Sequence, residues 1–187
     1  RLVGALRPGL WTWATLVVLS TLVVARVAAS WPDRAGMPRA AFTTYGDQAE
    51  DGFIYGISVA DLKNTPRVKE MGFGWMKAHI SWRGAEPQRG KYNWGELNKA
   101  IRMARENQLA LLLRVDQAPA WAHPSNPDPS APPDHDYLPD WRRFLRLTAA
   151  RAAGRVHAYE IWNEPNLTIE WGGKAPDPAG YSALLEA

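Results

Sequence analysis

The chain has no cysteine among its 187 residues, which excludes disulfide bonds and thiolate metal sites. Phenylalanine is scarce, with 4 residues against 10 tryptophans. The formal net charge is only +3, and the basic residues are scattered along the chain. Since nucleic-acid-binding proteins concentrate Lys and Arg on one face, we expect no nucleic-acid partner. The four histidines show no metal-ligand spacing, and we predict neither a metal site nor a cofactor.

Long apolar runs are also few. Residues 10–25, LWTWATLVVLSTLVVA, carry no charge, but a membrane helix needs about 20 apolar residues. The small residues before Ser30 resemble a signal-peptide cleavage site. We therefore predict that residues 1–30 form a hydrophobic helix, either a signal peptide or a membrane anchor, with a buried core helix as a third interpretation. The rest of the protein is then extracytoplasmic, either secreted or attached to the membrane through this segment. Residues 31–50 predict a linker.

Residues 51–187 alternate between strand and helix patterns. Strands are predicted at residues 53–59, 75–82, 109–115 and 156–162, and helices at residues 60–71, 94–107, 137–153 and 181–187. A Pro-dense stretch at residues 119–139 predicts a long loop. Such alternation is typical of a parallel sheet covered by helices, in either an open doubly wound sheet or a closed barrel.

The polar loops favour the barrel. An open dinucleotide-binding sheet would place a Gly-rich turn after the first strand, whereas Val59 is followed by Ala-Asp-Leu-Lys. Long polar segments follow the strand ends, where a barrel carries its active site. We predict an α/β fold, the N-terminal half (four βα units) of a TIM (β/α)8 barrel. A whole barrel takes about 250 residues, so the chain is expected to be an N-terminal fragment of a longer protein.

The strongest chemical signal is the segment YEIWNEPN at residues 159–166, at the end of the fourth strand. Strict alternation places Glu160, Trp162 and Glu164 on the barrel-facing side. Pro165 ends the strand because it cannot donate to the ladder. Glu164 is then expected at the rim, whereas Asn163 reaches the same side only if the strand end twists or bulges.

This segment resembles the clan A glycoside hydrolases, which are retaining (β/α)8 enzymes, and most closely families 39 and 5, the xylosidase and cellulase-like groups. Their fourth strand ends in Asn-Glu-Pro, which residues 163–165 match. Residues 82–94 are similar to the family's W-x-x-x-E-P-x-x-G-x-Y-x-W segment, and residues 119–121 to its P-x-W. Asn166 and Trp171 fit the continuation "N-E-P-N…W". The resemblance covers roughly the last three-quarters of the chain.

The resemblance implies that Glu164 is the catalytic acid/base, the proton donor, and that Asn163 binds the sugar 2-hydroxyl. Retaining hydrolysis needs a second carboxyl about 5–5.5 Å away. In these families it is a Glu at the end of the seventh strand, beyond these residues, so the fragment alone is expected to be inactive. Lys77 stands where many members carry Arg, and Lys cannot make the bidentate contact of a guanidinium.

Further polar and aromatic residues near the predicted strand ends are candidates for substrate binding. They comprise Trp121 and Trp171, with Trp82, for stacking on sugar rings, and His79 and His123 for bonds to hydroxyls. Core packing or a structural hydrogen bond is the alternative for each.

Two other carboxylates, those of Glu160 and Glu86, are predicted to have structural roles. Strand phase predicts that Glu160 forms an ion pair with Lys77 or Arg114. Glu86, which precedes a proline, is expected to have a role in a turn or at the start of a helix rather than in catalysis.

The sequence therefore predicts hydrolysis of O-glycosidic bonds in oligo- or polysaccharides. The alternative is a catalytically inactive carbohydrate-binding cell-surface protein on the same barrel, which would lack a carboxylate at the end of strand seven. An oxidoreductase or lyase would require metal or phosphate ligands that these residues do not show.

Overall fold

The computed structural model describes residues 55–187. Their sheet has four strands, β1 (Gly56–Ser58), β2 (Trp75–Ser81), β3 (Ala110–Asp116) and β4 (Ala158–Ile161). The strands lie in the order β1-β2-β3-β4, and every neighbouring pair is parallel. In doubly wound sheets the strand order reverses at one point, and ligands bind there. These four strands show no such reversal. The predicted α/β class and parallel sheet are confirmed here, while the predicted N-terminal helix and linker lie outside the described residues.

Helices follow the strands. They are α1 (Thr65–Glu70), α2 (Trp82–Ala85), α3 (Gly95–Glu106), α4 (Leu138–Ala152) and α5 (Pro178–Leu185). The first turns of α1, α4 and α5 each contain a proline. Proline suits this position because a backbone N–H in the first turn would have no acceptor within the helix. The four-residue α2 was not predicted because it is too short to show periodicity. Within residues 55–187, no helix has the length and apolar character to cross a membrane.

The core lies on the face of the sheet that the helices cover. Every second residue of β2 and β3 points to this face and is buried, namely Met76, Ala78, Ile80, Leu111, Leu113 and Val115. Trp82, Trp141 and Phe144 extend this core beyond the sheet, with ring centroids 5.2–6.0 Å apart. Truncating one such buried aromatic side chain typically costs about 3–5 kcal/mol.

Glu86 is a fully buried carboxylate that fastens the loop after α2. Its oxygens accept hydrogen bonds from the Trp82 indole N–H and the Gly90 backbone N–H, both at 2.7 Å. Arg143 of α4 lies 3.3 Å away and also pairs with Asp140 at 2.6 Å. Glu86 therefore organises a turn, as predicted, and also links this turn to α4, which the sequence did not indicate.

Replacing Glu86 with alanine should destabilise the fold by about 2–4 kcal/mol, because two buried donors lose their acceptor. Denaturant unfolding measures the change. Glu106→Ala is the matched control, since within residues 55–187 the only ion pair of Glu106 is an exposed one with Arg102 at 4.0 Å. Such a pair contributes at most about 0.5 kcal/mol. Equal midpoints for both variants would contradict the role of Glu86.

Candidate active site

The face of the sheet opposite the helices is charged. Its residues towards the carboxyl ends of the strands are Lys77, His79, Arg114, Asp116 and Glu160. The strand register places His79 beside Arg114, and Arg114 beside Glu160. Because desolvated charges are costly without partners, these side chains are expected to pair with one another.

Two sets of contacts satisfy these charges. Lys77 Nζ lies 2.7 Å from Glu160 Oε1, with the side chains 30% and 34% exposed. The ion pair predicted for Glu160 is thus confirmed, with Lys77 rather than Arg114 as its partner. One oxygen of the buried Asp116 carboxylate contacts His79 Nε2, and the other lies 2.9 Å from Arg114 Nε. Asp116 was not predicted, although a polar residue directly after a buried apolar strand is a recognisable signal.

The backbone turns sharply where β4 ends. Trp162 has a φ of +67°, in the left-handed region that residues other than glycine rarely adopt. Its side chain consequently enters the helix-covered core against Trp141, with ring centroids 6.2 Å apart. The prediction that Trp162 faces the barrel side was wrong, because alternation stops at this residue.

The same turn brings Asn163 to the charged face. Asn163 Oδ1 accepts a hydrogen bond of 2.7 Å from Arg114 Nη1. Glu164 follows with an exposed side chain, and its Oε2 lies 3.5 Å from Asn163 Nδ2. Asn163 was expected to reach this side only if the strand end twists or bulges, and the backbone does turn there. The structure therefore brings Asn163, Glu164 and Arg114 together.

Glu170 also belongs to this group, although the sequence did not indicate it. Glu170 Oε1 accepts a hydrogen bond of 2.6 Å from Asn163 Nδ2. It lies in the loop after β4, where no periodicity relates a residue to the strand. The indole N–H of Trp162 donates to the Glu170 carbonyl oxygen at 2.8 Å and holds this loop against the core.

Two residues predicted to bind substrate are buried in loops instead. Trp171 is 5% exposed, and its indole N–H donates to the Pro165 carbonyl oxygen. His123 is 2% exposed, with its ring nitrogens 2.7 and 3.2 Å from the carbonyl oxygens of Asn126 and Ala118. These positions do not fit contact with a sugar, nor does that of Trp82, which is fully buried. We leave all three out of the proposed site.

Trp121 and His79 remain accessible. Trp121 is half-buried, its ring lies edge-on to Trp82 at 5.3 Å, and its N–H donates to the Glu86 carbonyl oxygen at 3.2 Å. His79 lines a cleft of about 450 Å³, together with Ser58 and Lys77. Among residues 55–187, no group of three His, Asp or Glu side chains is arranged to hold a metal ion. Substrate contact by Trp121 and His79 stays a prediction.

The Lys77–Glu160 pair should contribute a measurable but small coupling energy. In a double-mutant cycle of Lys77→Met and Glu160→Gln, we expect about 0.5–1 kcal/mol in the free energy of unfolding, because both side chains are partly solvated. The coupling should shrink in 1 M salt, where exposed charges are screened. Strictly additive single changes at low salt would show that the pair is not energetically coupled.

Comparisons with known proteins agree with this architecture. The model of the family Glyco_hydro_42, described as beta-galactosidase, matches residues 61–142. A family 39 glycoside hydrolase from the gut symbiont Bacteroides cellulosilyticus WH2 is 25% identical, with a TM-score of 0.52 over 59% of this chain and 24% of its own. A beta-galactosidase from the psychrophilic Marinomonas ef1 is 15% identical, with a TM-score of 0.50 over 63% and 23%, a likeness of fold alone. No curated protein matches the chain.

The chain thus spans about a quarter of the length of these solved structures. The family match and the family 39 structure connect it with enzymes that hydrolyse glycosidic bonds. They confirm the resemblance to the clan A glycoside hydrolases that the Asn-Glu-Pro segment and its companions predicted.

Proposed function

We propose that residues 51–187 form the N-terminal half of a (β/α)8 barrel, and that the complete protein hydrolyses O-glycosidic bonds in oligo- or polysaccharides with retention. The observation that carries the proposal is the exposed carboxyl of Glu164 at the carboxyl end of β4, beside an Asn163 amide that Arg114 holds in place. Active sites of such barrels lie at this end of the strands.

In the proposed reaction, Glu164 gives its proton to the glycosidic oxygen while the bond between this oxygen and the anomeric carbon breaks. A carboxylate from the C-terminal half of the barrel attacks the anomeric carbon and forms a glycosyl-enzyme. In the second step Glu164 takes a proton from water. The water oxygen bonds to the anomeric carbon, and the attacking carboxylate is released.

Three further side chains suit sugar binding. The Asn163 amide, next to Glu164, is placed to meet a substrate hydroxyl. His79 opens to the cleft and is held by Asp116, and Trp121 has part of an aromatic surface exposed on which a sugar ring can stack. Because Lys77 neutralises Glu160, we assign Glu160 no part in proton transfer.

Replacing Glu164 with glutamine in the complete protein should lower turnover of substrates with poor leaving groups by about 10²–10⁴-fold, since general acid catalysis is lost. Aryl glycosides with dinitrophenyl leaving groups, which need little protonation to depart, should lose far less in the glycosylation step. Pre-steady-state and steady-state kinetics on both substrate types measure the difference.

The control is Glu70→Gln, which removes an exposed carboxylate on α1 and should leave turnover unchanged. Unimpaired hydrolysis of poor leaving groups by Glu164→Gln would reject the assignment. A protein that binds oligosaccharides but turns over neither substrate type would favour the inactive, carbohydrate-binding alternative.

We also propose that residues 1–30 deliver the protein beyond the cytoplasmic membrane. The support is the uncharged run at residues 10–25 and the small residues that follow it. The complete protein should be recovered from the medium, from the periplasm or from a membrane fraction in which external protease digests it. Mass spectrometry of its N-terminus separates a cleaved signal from a retained anchor, and recovery in the cytoplasm would refute the proposal.

A further inference from the structure

The side-chain amide of Asn163 is held at both of its ends. Arg114 Nη1 donates to its oxygen at 2.7 Å, and Glu170 Oε1 accepts from its nitrogen at 2.6 Å. A guanidinium only donates and an ionised carboxylate only accepts, so these two partners together permit a single orientation of the amide. Arg114 also forms an ion pair with Asp116, whose Oδ2 lies 2.9 Å from Arg114 Nε but outside hydrogen-bond geometry.

Glu170 is carried by a fastened loop. Its carbonyl oxygen accepts from the indole N–H of Trp162, whose ring is buried against Trp141. The loop is closed a second time by Trp171, which donates to the Pro165 carbonyl oxygen. Glu170 is half-buried, so its contact with Asn163 is partly shielded from water.

The geometry divides the two hydrogens of Asn163 Nδ2 between different partners. Glu170 takes one of them in a short, charge-assisted hydrogen bond. The same nitrogen lies 3.5 Å from Glu164 Oε2, at the outer limit of a hydrogen bond. A substrate hydroxyl beside Glu164 can therefore compete for the second hydrogen.

We propose that Glu170 is a positioning residue, an inference that rests on the proposed function. It acts through Asn163 and keeps the amide turned so that one N–H remains available to a substrate hydroxyl. Without Glu170, only the Arg114 hydrogen bond to Oδ1 restrains the amide. Its nitrogen can then move closer to Glu164 and occupy the carboxyl that must exchange a proton with the substrate.

The kinetic test uses variants of the complete protein. Glu170→Ala should lower kcat/KM roughly 10- to 100-fold, the typical effect of losing one charge-assisted hydrogen bond. Glu170→Gln should recover most of this loss because it keeps an acceptor oxygen with the same reach. Glu70→Ala, on α1, is the matched control and should have wild-type kinetics, and thermal unfolding establishes that each variant is folded.

A double-mutant cycle separates positioning from a general structural effect. If Glu170 acts through Asn163, Glu170→Ala should cause no further loss in the Asn163→Ala background. Multiplicative losses from the two changes would overturn the proposal, and so would an unchanged kcat/KM in Glu170→Ala.

A second readout does not depend on turnover. In protein labelled with ¹⁵N-asparagine, the side-chain amide of Asn163 is identified by its absence in Asn163→Ala. Glu170→Ala should shift one of its two proton signals upfield and accelerate its exchange, whereas Glu70→Ala should leave both in place. Identical spectra would overturn the contact.

The outcomes distinguish the two proposals. Full turnover by Glu164→Gln, or a complete protein without hydrolase activity, would end the proposed function and the catalytic role of Glu170 with it. Loss of turnover in Glu164→Gln together with wild-type kinetics in Glu170→Ala would overturn the role of Glu170 alone.

Discussion

The left-handed backbone at Trp162 is the constraint on which the candidate site depends. A residue other than glycine in this region carries a strain of about 1–3 kcal/mol. Burial of the indole ring in the helix-covered core and its hydrogen bond to the loop oppose that strain. Had the strand continued to alternate, the ring would occupy the charged face at the position where Asn163 meets Arg114. The core therefore determines which side chains reach the site.

The charged side chains of the site are paired with one another rather than with Glu164. Cations neutralise Glu160 and Asp116, whereas among the described residues the Glu164 carboxylate contacts only the neutral amide of Asn163. Lys77 and Arg114 are thus engaged with other partners, and the Glu164 carboxyl lies beside a neutral amide.

Periodicity explains what the sequence could predict. Apolar and β-rich runs identified the four strands, and strand phase predicted the partners of Glu160. The structure contains both the parallel sheet and an ion pair between Lys77 and Glu160. Prediction failed where no periodic rule applies. A change of φ at Trp162 leaves no trace in hydrophobic patterning. Likewise, composition cannot tell that His123 turns into its loop rather than towards a ligand.

The residues around Glu164 are held by contacts from β3, the end of β4 and the loop that follows it. Tyr181 of α5 adds a hydrogen bond of 3.2 Å to the carbonyl oxygen of Ile161, the last residue of β4. Burial, with Glu160 nearby, raises the pKa of Tyr181, so its hydroxyl stays protonated and remains a donor at neutral pH. These contacts restrain the backbone from which the proposed acid/base extends. A nucleophile supplied by a C-terminal half-barrel would have to be positioned relative to that backbone.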